Sequence, residues 1–286
     1  MSVSNLPIAV PLSWAQDDVE SRCGFRGGQF TQVNNLLSFL IGAALTVAFY
    51  SALIPLHDSQ FARIFRERGP TQHCTTLLTF WSLAILWLKW RKLALQRRSL
   101  AFVVVPESPD FVLSSGTVEQ VFERVYATVD DPRRFLLFNR IVIALGNLRN
   151  LGRVSDVDEI FRSQGDQEAS SLETSYSVVQ GFVWAIPVLG FIGTVLGLSD
   201  AIGGFGSVLE SAGEISEITQ ALKGVTAGLY TAFDTTLVAL VAALVIQLLL
   251  TFLKKSEEEF LDSCADYCSR HVVGRLRVMP FERAQV

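Results

Sequence analysis

Thr194 and Thr236 are hydroxyls set inside two of the most apolar stretches of the chain. The first stretch reads Ala185-Ile186-Pro187-Val188-Leu189-Gly190-Phe191-Ile192-Gly193-Thr194-Val195-Leu196-Gly197-Leu198. The second reads Phe233-Asp234-Thr235-Thr236-Leu237-Val238-Ala239-Leu240-Val241-Ala242-Ala243-Leu244. With its flanks, each is long enough to span a bilayer. A helix facing only lipid gains nothing from Gly, Thr or Asp, so one side of each must face protein or water. Hydroxyls and a carboxylate in such a place can solvate or relay a small ion. They can also be plain packing, each threonine bonded to the carbonyl one turn back.

Spacing organises these residues. On an α-helix, Pro187, Gly190, Thr194, Gly197 and Ala201 recur every three or four positions and form one stripe of small residues, with Gly193 beside it. Gly228, Ala232, Thr236, Ala239 and Ala243 form a second stripe. Such faces let two backbones approach closely, within one subunit or between copies. Counted from Val225, Asp234 lies about 14 Å along its helix, near mid-membrane. A structural role, bonded to Thr231, Thr235 or a neighbouring helix, and a conducting role both fit it. Asp200, near the end of the first stretch, reads as interfacial.

The elements that must position these residues are membrane helices. Half the residues are hydrophobic and only 18% are charged, a membrane composition. Apolar segments run over about 36–53, 75–90, 178–202 and 225–252, and the first two lack a polar stripe. The fold class expected is an all-α membrane protein with four transmembrane helices, the long ones extending into a cytoplasmic helical domain. Lys89, Arg91, Lys92, Arg97 and Arg98 crowd the end of the second segment, and Lys254 with Lys255 closes the fourth. Glu210, Glu214 and Glu217 lie between segments three and four, so the basic ends belong in the cytoplasm. Arg63, Arg66 and Arg68 then fall on the outer side, partly balanced by Asp58 and Glu67. The expectation is a multi-pass membrane protein with both termini cytoplasmic and lipid around its helices.

The division expected is a cytoplasmic N-terminal segment over 1–30, in which Met1 to Trp14 shows no signal-peptide pattern and reads as coil or a surface segment from Pro7 and Pro11. A first transmembrane hairpin covers 31–93, a cytoplasmic helical domain 94–174, a second transmembrane hairpin 175–255 and a C-terminal amphipathic helix 256–286. Within the helical domain, Leu100 to Val105 is a β-like run ended by Pro106 and Pro109. Thr117 and Gln120 suggest a capping box. Asp130-Asp131-Pro132 opens a helix toward Asn150 carrying Phe135, Leu136, Ile141, Ala144 and Leu148. A helix starting near Ser155 or Asp156 meets no proline before Pro187 and is expected to run into the membrane unbroken. Lys254 to Arg277 carries Phe260, Leu261, Cys264, Tyr267 and Val272 on one side.

Catalytic patterns are absent. There is no phosphate-binding glycine loop, nucleophile elbow or metalloprotease helix, and His57, His73 and His271 are dispersed. Cys264, Cys268 and His271 could share a helix face but lack the spacing of a structural zinc site, and the cysteines read better as apolar or interfacial. No enzyme activity, cofactor or metal is expected, and a net charge of −4 gives no reason for a nucleic-acid partner.

Pro187-x-x-Gly190-x-x-Gly193-Thr194-Val195-x-Gly197, followed by Thr236 and the run Leu237 to Leu244, resembles the MotA/TolQ/ExbB family of channel subunits driven by proton-motive force. The resemblance covers about 175–255. It implies a homopentamer around a dimer of a MotB/ExbD/TolR-like protein whose single membrane helix bears an essential Asp. It implies that the hairpin over 175–255 forms a channel in the bacterial inner membrane, with Thr194 and Thr236 on the ion pathway facing that partner; Thr235 and Asp234, beside them, are further candidates for that pathway. Pro187, Gly190, Gly193, Gly197, Ala232 and Ala239 would then line the pore. Four segments resemble the MotA arrangement, whereas the helix motifs look closer to ExbB and TolQ, and Thr235-Thr236 also resembles sodium-driven stators. Asp234 has no counterpart in the usual ExbB helix, so its role is not carried over. A non-conducting membrane scaffold is the competing reading, and a secondary transporter would need an inverted repeat that the sequence lacks.

Overall fold

The structure is a computed structural model that describes residues 11–25, 27–56, 59–66, 68–106, 111, 113–114, 116–151, 154–211 and 215–276, without the side chains of 148–151, 154–156, 204–211, 215–218 and 221. Pro7, His57, Asp58, Glu67, Pro109, Glu214 and Arg277 lie outside this set, as do the side chains of Leu148, Ser155, Asp156, Glu210 and Glu217. The chain divides into two compact units. One comprises 35–87 and 176–252, the other 1–34, 88–175 and 253–286.

The first unit is built from α3 (Asn35–Ala52), α4 (Gln60–Arg66), the N-terminal part of α5 (Pro70–Arg98), the C-terminal part of α8 (Val154–Ser211) and most of α9 (Ile215–His271). Three helices among the described residues are long and apolar enough to cross a membrane: Asn35–Ala52 and the apolar parts of α8 and α9. Outward-facing side chains such as Val47, Trp184, Phe191, Phe233 and Phe252 are all more than half exposed. Water would not tolerate so continuous an apolar surface, whereas lipid would.

Helix α5 holds the second apolar segment but is not among those three. It also corrects the expectation that this segment has no polar face. Thr71, Gln72, Thr75, Thr76 and Ser82 are buried. Their hydroxyls can be buried because they turn back on their own helix: Thr76 donates to the Gln72 carbonyl at 2.8 Å and Ser82 to the Leu78 carbonyl at 2.8 Å. Close packing joins α3 to α5. A Cβ on Gly42 would lie 2.6 Å from the Trp81 Cα, and the Trp81 indole donates to Ser38 at 3.1 Å.

Helices α8 and α9 are single elements of 58 and 57 residues. The unbroken entry of α8 through Pro187 is as expected. Both helices run beyond the apolar segments, however, so 203–211 and 215–224 are helical where a loop was expected. Three glycines over 203–206 weaken the local helix signal without ending the helix.

The second unit contains α1 (Trp14–Asp17), α2 (Val19–Arg22), α6 (Val118–Thr128) and α7 (Leu136–Leu151), with the remaining parts of α5, α8 and α9. The end of the stretch read as coil or surface is packed instead, with Leu12 and Trp14 buried, and Glu20 beyond it is buried as well. Leu12 forms a β-bridge with Val129. Asp130 was read as part of a helix start; its carboxylate instead caps α1, accepting from the Trp14 and Ala15 amides at 2.9 and 3.1 Å and from Ser13 at 2.9 Å. Asp131 takes the local role, capping the 3₁₀ turn Pro132–Arg134 that precedes α7.

Thr117 is the N-cap residue of α6, but no capping box forms. Its hydroxyl accepts from the Ser114 amide at 2.9 Å. The β-like run is a 3₁₀ turn, Ser99–Ala101, followed by irregular backbone with Val104 and Val105 buried. That backbone is satisfied by a side chain instead of a strand: the Tyr267 hydroxyl accepts from the Val104 amide at 3.2 Å and donates to the Phe102 carbonyl at 3.1 Å. The apolar faces of α7 and the C-terminal part of α9 are as read, with Phe135, Leu136, Ile141, Ala144, Phe260, Cys264, Tyr267 and Val272 buried.

Buried charge pairs stitch this unit. Lys92 meets Glu20 at 2.6 Å and donates to the Gln32 carbonyl at 2.6 Å. Lys89 meets Glu257 at 3.2 Å, and Thr31 donates to the same carboxylate. Burial alone would raise the Asp130 pKa, but its four hydrogen-bond donors outweigh that and hold it below the usual carboxylate value. A depressed folded-state pKa gives stability that is present above the unfolded-state value and lost as pH falls through the folded one. Asp130→Asn is therefore expected to flatten the acid limb of the thermal-melting profile below about pH 4, read by circular dichroism in detergent.

Candidate functional site: the α8–α9 threonine cluster

The small-residue stripes of α8 and α9 meet each other within this one chain. A Cβ on Gly190 would lie 2.5 Å from the Ala239 Cβ, and one on Gly197 2.8 Å from the Gly228 carbonyl. One on Gly193 would lie 2.6 Å from the Thr235 hydroxyl. Ala232, Thr235 and Ala239 are buried in this contact. Glycine is required at these positions because any side chain would have to displace backbone or a buried neighbour.

At the centre of this contact Thr194 and Thr236 hydrogen-bond each other. Thr194 Oγ1 also lies 3.2 Å from the Gly190 carbonyl and 3.1 Å from that of Ala232. Thr236 Oγ1 lies 3.3 and 3.1 Å from the same two carbonyls. Each hydroxyl has one proton, so four oxygens share two protons. Either hydroxyl can turn from a carbonyl to its partner, and both remain half-buried. The cluster can donate to a carboxylate, accept from a carboxylic acid or offer oxygens to a cation. It contains no titratable group, so a proton carrier must come from outside it.

The other sequence candidates are placed differently. Thr235 is 1% exposed and donates to the Thr231 carbonyl at 2.9 Å, which makes it the filling under Gly193. Pro187 is half-buried on α8, and Asp200 is exposed. Asp234 points to another side of α9, where its carboxylate meets the Arg68 guanidinium at 2.8 Å. Arg68 also donates to the Thr231 hydroxyl at 3.2 Å. Arg68 is the functional candidate that sequence reasoning missed. The signal was its awkward place among the outer-side arginines, which an intramembrane acid in need of a partner explains.

Cys264 and Cys268 are buried in the second unit. Burial, partly opposed by Arg140, pushes the Cys268 thiol up to about 12 and Cys264 in the same direction. Both are neutral thiols at neutral pH.

Residues 138–265 match the model of the MotA/TolQ/ExbB proton channel family. The matched region begins in α7 and takes in all of α8 and most of α9, so it contains the threonine cluster. It is the family that the motifs around Thr194 and Thr236 resemble. The family match and the apolar helices are together those expected of a membrane subunit of the proton-channel type. No curated protein and no solved structure matches the chain.

Proposed function

We propose that the chain is the proton-conducting subunit of an energy-transducing motor in the bacterial inner membrane, with both termini cytoplasmic and four membrane-crossing segments. Five copies surround a dimer of a MotB/ExbD/TolR-like protein, and ion flow turns the ring against that dimer. The observation that carries this reading is the Thr194–Thr236 hydroxyl pair, half-buried inside the family-matched region and able to exchange protons with a carboxylic acid. That acid is supplied by the partner helix, because Asp234 is held by Arg68. On this reading the exposed apolar face of α8 and α9 meets the partner, neighbouring copies and lipid.

The test is proton flux into proteoliposomes holding the chain and its co-encoded single-helix partner. Thr236→Val and the partner's Asp→Asn are each expected to abolish flux while the complex still assembles. Flux that follows a sodium gradient instead would make the ion sodium. A complex that assembles and stays silent to both ions would support a non-conducting scaffold. The close packing of Gly190 and Gly197 against α9 inside one chain favours that second reading, since it explains the stripes without a pore.

A further inference from the structure

Helix α9 is gripped on two sides. At 100° per residue, Gly228, Ala232, Thr235, Thr236 and Ala239 fall within about 100° of arc, the side occupied by α8. Tyr230, Phe233, Leu237, Leu240 and Leu244 fill a separate arc and are all more than half exposed. Between the two arcs, on the flank nearer Thr235, lie Thr231 and Asp234, and both are held by Arg68. The guanidinium presents one nitrogen of its planar fork to each of the two, across one helical turn. Arg68 is delivered by a defined turn: Gly69 takes φ of +86°, and Pro70 opens α5.

The pair is not a surface contact. The two side chains are 18% and 21% exposed, and Arg68 Nε is buried without a partner. An acid held in this way inside an apolar helix has its charge balanced on the spot by Arg68. A guanidinium on one flank and glycine-tight packing on the other leave α9 little freedom to turn about its own axis.

We propose that Arg68 is a positioning residue that sets the rotation of α9, and that Asp234 is its fixed counter-charge, not an ion carrier. Together they hold the turn bearing Thr235 and Thr236 against α8. The transport part of this inference rests on the proposed channel function; the structural part does not.

The test combines two measurements on the full chain. Thermal unfolding in detergent is recorded for wild type, Arg68→Gln, Asp234→Asn and the double variant. Each single change leaves a buried group unpaired and is expected to melt several degrees lower, while the double recovers most of the loss. Proton flux with the co-encoded partner is then expected to fall about tenfold or more in each single variant and to return in the neutral double variant. The charge swap R68D/D234R is expected to rescue as well. A double variant that folds and assembles but stays as silent as Asp234→Asn overturns the proposal, because it makes the Asp234 carboxyl indispensable. Absence of coupling in the melting cycle overturns it too. If wild type conducts nothing, the channel reading fails and the melting cycle alone decides the clamp.

Discussion

Gly190→Leu will separate α8 from α9 and abolish whatever the threonine cluster does. The added side chain meets the Ala239 Cβ at 2.5 Å, the Thr235 carbonyl at 3.2 Å and the Thr236 Cα at 3.3 Å. Two of these three obstacles are backbone atoms, which cannot rotate away as the end of a flexible side chain would. Overpacking a core costs about 1–3 kcal/mol when side chains can adjust, so a clash with backbone is expected at or above the upper end. The Thr194–Thr236 bond and both shared carbonyls lie within one turn of the insertion, so the cluster comes apart with the helices. Gly181→Ala is the matching control. Nothing lies within 4 Å of a Cβ there, and the change is expected to stabilise the helix by about 0.5–1 kcal/mol. Thermal unfolding in detergent together with limited proteolysis reads both. Equal melting temperatures for the two variants would show that α8 and α9 do not pack as described.

Glu20→Ala is the second large effect, and it tests the other unit. Glu20 and Lys92 are both almost fully buried, so removing the carboxylate leaves an ammonium facing the Gln32 carbonyl and the Trp14 ring, with no counter-charge from Glu20. Breaking a buried pair from one side costs about 3–5 kcal/mol. The same carboxylate accepts from the Asn34 amide at 2.8 Å, so the chain entering α3 loses an anchor as well. Replacing both partners by apolar residues of similar volume is expected to restore most of the loss, because no charge is then stranded. The exposed pair Arg270–Asp266 gives the scale: with side chains 73% and 55% exposed, its removal is expected to cost at most about 0.5 kcal/mol. Melting curves of the three variants check this ranking. A Glu20→Ala chain as stable as one lacking Asp266 would mean that the N-terminal segment is not seated as described.

These two predictions concern residues that differ greatly in how legible they are. Gly190, Gly193 and Gly197 stand out in any reading, because glycine repeated at helical spacing in an apolar run has few explanations besides close approach. What the spacing left open was the identity of the approaching backbone. The structure assigns α9 of the same chain to that place. Glu20 and Lys92 carry no such signal. They are 72 residues apart in sequence, and each read alone is an ordinary charged residue near an apolar segment. Asp130 misled for a related reason: a helix-start signature is real in Asp130-Asp131-Pro132, but two carboxylates competed for it, and packing sent the first of them to α1.

The sequence by itself determined the helical membrane class, the length of α8 through Pro187, the apolar faces of α7 and the end of α9, and the family motif around Thr194 and Thr236. These are properties of period and composition, which depend only on neighbours along one helix. Tertiary structure alone decided that α5 hides a polar face, that Thr235 packs while Thr194 and Thr236 share two carbonyls, and that Arg68 balances Asp234. Each of these depends on which helix supplies the second partner. A hydroxyl or a charge in an apolar segment announces that it needs a partner, but the sequence does not name one, because partners are chosen by distance in the folded chain.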